Sequence, residues 1–212
     1  MNSDNNVSHH TMTFFELLSR DPTEQIALSE DTLLQDVSHL LENPADLVAY
    51  CESHPKRLGW AIWRLCDSSS SDCLRLLTDS QIPEETRCQL TDNLKNLFSK
   101  LFDPHCDQVL QGSLKKGQYL NIACSLFWDI APLGPTTARP AGIADACADV
   151  MRFQLTIANL ACRESALVGI EHWIDAEPQL MAAVLKDYDV DSEPVAELQK
   201  RAVYLSGLLG TK

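Results

Sequence analysis

The stretch CRESALVGIEHWIDAEPQLMAAVLKDY, residues 162–188, decides how the rest of the chain is read. Ala166, Leu167, Ile170, Trp173 and Ile174 recur at intervals of three and four, which places their side chains on one face of a helix. Glu177-Pro178 then turns the chain. The residue before a proline is pushed out of the helical region, and proline can open a new helix because its missing N–H is not needed there. Leu180, Met181, Val184 and Leu185 repeat the spacing on the way back. Two amphipathic helices joined by so short a turn make a hairpin, and a lone hairpin leaves apolar surface for neighbours to cover.

Working outward, the 3.6-residue period persists nearly everywhere. Toward the N-terminus it gives Leu33, Leu34, Val37, Leu40 and Leu41, then Leu47, Val48 and Cys51, then Leu58, Ala61, Ile62, Leu65 and Cys66. Ile82-Pro83-Glu84-Glu85 opens a further helix, with proline and acids in the first turn. Its stripe runs through Leu90, Leu94, Leu97, Phe98 and Leu101 until Asp103-Pro104, and Val109 and Leu110 suggest a short return. Residues 119–131 are apolar on nearly every side, as expected of a central, buried helix, and Asp129 is their only charge. After a loop rich in proline (Pro132, Pro135, Pro140), a helix of about 20 residues is expected from Ile143 to Cys162, roughly 30 Å long. Val195, Leu198, Ala202, Leu205 and Leu209 mark a final helix. No run of alternating β-branched residues competes with this pattern.

Three segments share one grammar: residues 56–77, 86–110 and 163–188 each place an arginine (Arg57, Arg87, Arg163) near a helix start, followed by a stripe, a turn and a shorter helix. The arginine spacings, 30 and then 76 residues, are unequal, so the expectation is divergent stacking rather than a strict array. Here the chain resembles a known group. CRESALVGIEHW at 162–173, with the turn DAEP and the helix QLMAAVLKDY, is similar to a CxESALxGxxHW motif of bacterial HEAT-like proteins, and LNIACSLFWDIAP upstream resembles a "WDI-P" segment of the same proteins. The resemblance covers about a third of the chain and departs from the pattern at Val168, where histidine is usual. It implies an all-α α-α superhelix of stacked antiparallel helix pairs (HEAT/ARM-like), and no established activity.

Composition narrows the function classes. The 212 residues hold 17 Lys and Arg against 30 Asp and Glu, a formal net charge of -13. That balance argues against nucleic acid, which requires a basic stripe, and against an anionic membrane surface. Eight cysteines form no CxxC pair, and the opening MNSDNNVSHH has neither the basic nor the apolar region of an export signal. Reduced, buried thiols in a bacterial cytoplasm are therefore expected. Residues 1–11 are expected to be a disordered tail, and 12–212 one helical-repeat domain of about nine to eleven helices.

The candidate site residues are Trp128, Asp129, Glu164, His172 and Trp173. A lone carboxylate on an apolar helix needs a hydrogen-bonding partner, and the C-terminal end of a long helix would disfavour an anion further. His172 or Arg163 is the expected partner. Glu164 and His172, eight residues apart, fall near one face of a helix, so a carboxylate–imidazole group in an inter-helix pocket is one reading and a structural polar network the other. Trp60, Trp63, Trp128 and Trp173 could anchor a partner or fill the core. Asp187, Asp189 and Asp191 begin like a calcium loop, but Ser192 and Leu198 stand where glycine and the bidentate glutamate belong. His105, Cys106 and Cys124 fit no standard zinc spacing, so no metal and no cofactor are expected. The expected function is a protein-interaction module, with another protein as its partner. The alternative is an enzyme or small-ligand binder built around Asp129, Glu164 and His172.

Overall fold

A computed structural model describes residues 9–21, 24, 28–52, 55–67, 69, 71–135 and 141–210. It is all-helical: about 74% of the chain is helix, and no strand occurs among the described residues. The helices are α1 (His9–Leu18), α2 (Glu30–Glu42), α3 (Pro44–Cys51), α4 (Pro55–Cys66), α5 (Glu84–Leu97), α6 (Asp103–His105), α7 (Tyr119–Ser125), α8 (Phe127–Ile130), α9 (Ala141–Leu155), α10 (Leu160–Trp173), α11 (Pro178–Lys186) and α12 (Ala196–Gly210). Apart from the single turn α6, that makes eleven α-helices among the described residues, each of four residues or more. None is long and apolar enough to cross a membrane.

The boundaries follow local chemistry. Proline opens α3 and α11 at the first turn, where its absent N–H costs nothing. Pro83 precedes α5, and Glu84 and Glu85 face the positive end of its dipole. α5 does not stop at Leu97. It passes through a π-helical turn, Phe98–Phe102, and runs on into α6 before Cys106 leaves the helix.

Three sequence expectations change. The helix expected over 119–131 is two helices, because Leu126 (φ -95°, ψ 7°) leaves helical geometry and restarts the chain at Phe127. The long helix expected from Ile143 to Cys162 ends at Leu155, where the Thr156 hydroxyl donates to the Phe153 carbonyl and Asn159 caps a new helix. Of the tail expected over 1–11, residues 1–8 lie outside the described residues, while His9–Thr11 form the first turn of α1 with Thr11 buried.

Helix contacts fall into two rows. One row runs α1, α4, α7, α10, α12, each touching the next; the other runs α2, α5, α9, α11. Pairs such as α1 with α2, α9 with α10 and α11 with α12 connect the rows. Between them lies one continuous core that includes Phe15, Leu40, Ile62, Leu94, Phe127, Met151, Ile170 and Leu205, each fully buried. Aromatic rings fill its middle: Phe98 lies 5.1 Å from both Phe102 and Phe127, and Phe127 packs edge-on against Trp128 at 5.2 Å.

The first row is tight because of a glycine. A Cβ on Gly59 of α4 would stand 2.5 Å from Tyr119 Cβ and 3.0 Å from the Tyr119 backbone, so only glycine lets α7 come this close. The three grammar arginines, by contrast, have three different roles. Arg57 is exposed, Arg87 is buried with Nε donating to the Ile82 carbonyl at 3.0 Å, and Arg163 is tied to Glu193.

Candidate functional site

The candidate residues hang on α10, and the start of that helix is over-determined. The Asn159 side-chain oxygen accepts from the Ala161 N–H at 3.0 Å, an N-cap, while its amide donates to the carbonyls of Asp103 (3.1 Å) and Cys106 (2.9 Å). Gln108 accepts from the Leu160 N–H at 3.1 Å. One turn on, Glu164 Oε2 accepts from the Gln111 N–H at 2.6 Å. Partial burial raises the Glu164 pKa, and the Gln111 N–H and the Arg201 charge pull it back only in part. Glu164 thus holds the 106–118 connection against α10.

Farther along, Gly169 lets the α8 segment approach. A Cβ there would stand 2.8 Å from Trp128 Cγ and 3.0 Å from the Met151 methyl. Trp128, only 2% exposed, donates its indole N–H to Gln154 Oε1 at 3.0 Å, and Gln154 is itself fully buried. With Trp128 locked, the next residue is aimed: Asp129 Oδ1 lies 2.9 Å from His172 Nε2. The central helix and the CRESALVGIEHW helix therefore do meet through this pair.

The surroundings differ from the expectation. Asp129 and His172 are each 37% exposed, so the carboxylate is not buried. Asp129 also sits in the first turn of α8, because the break at Leu126 moves it from the end of one helix to the start of another. Glu164 does not join the pair. It lies eight residues away on α10, about 12 Å along the axis, and is committed to Gln111. The structure thus brings Trp128, Asp129 and His172 together, leaves Glu164 apart and buries Trp173 to 1% exposure. Trp60 and Trp63 are half-buried, and Trp60 packs edge-on against Tyr119.

Sequence reasoning missed a buried polar knot. Arg163 Nη1 lies 2.6 Å from Glu193 Oε2, Tyr188 donates its hydroxyl to the same carboxylate, and the Val195 N–H donates to Glu193 Oε1 at 3.0 Å. The Glu193 side chain is 1% exposed. Burial, then the Glu193 charge, raises the Tyr188 pKa well above the ordinary phenol value of 10. A single acid before Pro194, thirty residues from its arginine, leaves no periodic signal in the sequence. In the acidic loop itself, Asp187 pairs with Arg152 at 3.0 Å, and Asp189 accepts from the N–H and hydroxyl of Ser192. Asp189 thus caps a turn, and Asp187 serves as an ion-pair partner.

Thiols gather at the row centre. Cys124 Sγ lies 4.0 Å from Cys162 Sγ, and Cys106 also bonds with Cys124. Burial raises the Cys124 pKa well above its ordinary value. All eight cysteines are free thiols, and His105, beside Cys106, is exposed and makes no part of this cluster. Among the described residues, no three His, Cys, Asp or Glu side chains are placed to hold a metal ion.

Two sizeable clefts occur near these elements. One of about 370 Å³ lies over the knot, between Arg152, Arg163, Tyr188 and Pro194. Another of about 540 Å³ lies between α3, α4 and α7, with Val48, Ala49, Leu58 and Leu120 in its lining. Neither is lined by Asp129, Glu164 or His172. No family model matches the chain, and no curated protein or solved structure is found similar to it.

Proposed function

We propose that the chain is a HEAT-like helical-repeat interaction module, serving as a scaffold, adaptor or inhibitor for another protein in a bacterial cytoplasm. The observation that carries the reading is the pair of helix rows, each helix touching its neighbours in the row. Stacks of this kind present long continuous faces, and such faces suit a protein partner. Two further features support it. Asp129 and His172 are each 37% exposed and Glu164 is bonded elsewhere, so the three do not form the single carboxylate–imidazole group that acid–base chemistry would use. The net charge of -13 favours a partner surface of opposite sign, which would speed encounter more than it would strengthen the complex.

The test is affinity capture of the full chain from its native host, then reconstitution with the purified candidate. Hydrogen exchange on the complex should show protection along consecutive helices of one row. Association should slow as salt rises from 50 to 500 mM. Failure to recover any stoichiometric partner, or a reconstituted complex that protects no row helix, overturns the proposal.

A further inference from the structure

We infer that the cleft between α3, α4 and α7 binds a small organic cation with an apolar body. Its volume, about 540 Å³, falls within the range of roughly 300–1,000 Å³ usual for small-molecule sites. Four separate segments converge on it: α3 with Glu52, the first turns of α4, His105 with Asp107, and residues 117–121. Its apolar lining includes Val48, Ala49, Leu58 and Leu120. Its polar lining includes Glu52, His105 and Asp107.

The Asp107 part of that lining is pre-built. Asn121, 2% exposed, holds the Asp107 backbone at both ends: its oxygen accepts from the Asp107 N–H and its amide donates to the Asp107 carbonyl, both at 2.9 Å. Gln118 donates to Asp107 Oδ2 at 2.6 Å, and its own oxygen accepts from the Lys115 N–H at 2.6 Å. Gly117, at φ 101°, is the one described residue with positive φ, and it turns the connection back so that Gln118 can reach Asp107. After these bonds, Asp107 Oδ1, the Glu52 carboxylate and the His105 ring have no hydrogen-bond partner among the described residues.

The charge of the site is one-sided. Among the described residues, two carboxylates line it and no lysine or arginine does. Arg57 lies near enough to Cys51 for its charge to act on that thiol, but it stands outside the lining, exposed on the first turn of α4. A ligand anion would meet two carboxylates, whereas an ammonium could sit between Asp107 and Glu52 with its hydrocarbon part on Val48 and Leu58. The cleft over the Arg163–Glu193 knot offers no such opening, because Arg163 is bound to Glu193, and Arg152 to Asp149 and Asp187.

The probes are 4-phenylbutylamine and its uncharged counterpart 4-phenyl-1-butanol, titrated into the ¹⁵N-labelled full chain and followed by amide shifts. The amine should give saturable shifts concentrated at Ala49, Gly117 and Leu120, with an affinity at least tenfold above that of the alcohol. In the Glu52→Gln, Asp107→Asn double variant the amine should fall to the alcohol's affinity while the alcohol is unchanged. Ala49→Trp, at an exposed position of the lining, should abolish both, with circular dichroism unaltered; should that variant unfold, the charge variant still decides. Equal affinities for amine and alcohol, or no saturable shift at those three residues, overturns the inference. The protein-partner reading is untouched by either result, because its test rests on row-wide protection.

Discussion

Gly169 controls how far apart α10 and the Trp128 ring can sit. An alanine there would push its Cβ to 2.8 Å from Trp128 Cγ, against a ring already held by a buried glutamine. Gly169→Ala should therefore destabilise the chain by about 1–3 kcal/mol in chemical denaturation. Gly207 is the control: nothing stands within 4 Å of its added Cβ and it lies inside α12, so Gly207→Ala should stabilise by about 0.5–1 kcal/mol. A Gly169→Ala variant as stable as the parent would mean that the indole has room to move. The Asp129–His172 pair calls for a different magnitude. Both side chains are 37% exposed, so a double-mutant cycle should give a coupling of about 0.2–1 kcal/mol rather than the larger figure of a buried pair. Coupling above about 2 kcal/mol would show that the pair is shielded from water. That Asp129 would pair with a group on this helix was legible, because a lone acid on an apolar segment demands a partner. The sequence left His172 and Arg163 both open; the structure pairs Asp129 with His172 and Arg163 with Glu193. The exposure of the Asp129–His172 pair was not legible, since it depends on the break at Leu126, and no proline or glycine marks that break.

At the scale of elements, the turn before α12 depends on the knot of Arg163, Tyr188 and Glu193. Arg163→Met removes the cation and leaves the 1%-exposed Glu193 carboxylate with Tyr188 and one backbone N–H. The cost should be about 3–5 kcal/mol, and residues 187–195 should lose exchange protection before the rest of the chain does. Uniform loss of protection would show that the knot supports the whole fold rather than that turn. Glu164 makes a pH-dependent contribution of known sign. Its folded pKa is raised by burial, so the folded state binds this proton more tightly than the unfolded chain does. Its contribution is therefore fully present below the ordinary value of 4.5 and declines as pH rises to the folded pKa, then stays level. Measured by urea denaturation, the stability of the parent minus that of Glu164→Gln should fall across that window; a rise would reverse the assignment of cause. Most elements were readable from the 3.6 period and from proline, as α3, α5 and α11 illustrate. The division between α9 and α10 was not, because the apolar stripe runs on through Ile157 while Thr156 and Asn159 cap the backbone beneath it.

For the whole molecule, the two rows bury nearly all the thiols. Seven of the eight cysteines are buried and Cys88 is half-buried. Burial raises the Cys51 pKa to about 11 and the Cys73 pKa to about 12, which withholds the reactive thiolate at neutral pH. A thiol reagent added to native protein at pH 8 should modify Cys88 first and the others only at the rate of unfolding, with all eight reacting in denaturant. Rapid reaction of three or more in the native state would show that the rows open readily. The row arrangement was readable only as a tendency to stack. Which helices become neighbours depends on small side chains such as Gly59, and the period of the stripes says nothing of partners.

The π-helical turn at Phe98–Phe102 has a consequence for how related chains can vary in length. A π turn takes one more residue per hydrogen-bonded loop than an α turn, so it absorbs a single extra residue without ending the helix. Deleting one residue there would restore α geometry while leaving everything downstream close to its present phase relative to α5. Phe102 would stay on the core, and the carbonyls of Asp103 and Cys106 would stay in reach of Asn159. A single-residue deletion should therefore be accepted at 98–102 yet rejected within Glu84–Leu97, where each residue removed turns the following helix by about 100°, so tolerance to deletion in this chain is set by helical phase rather than by distance from the core.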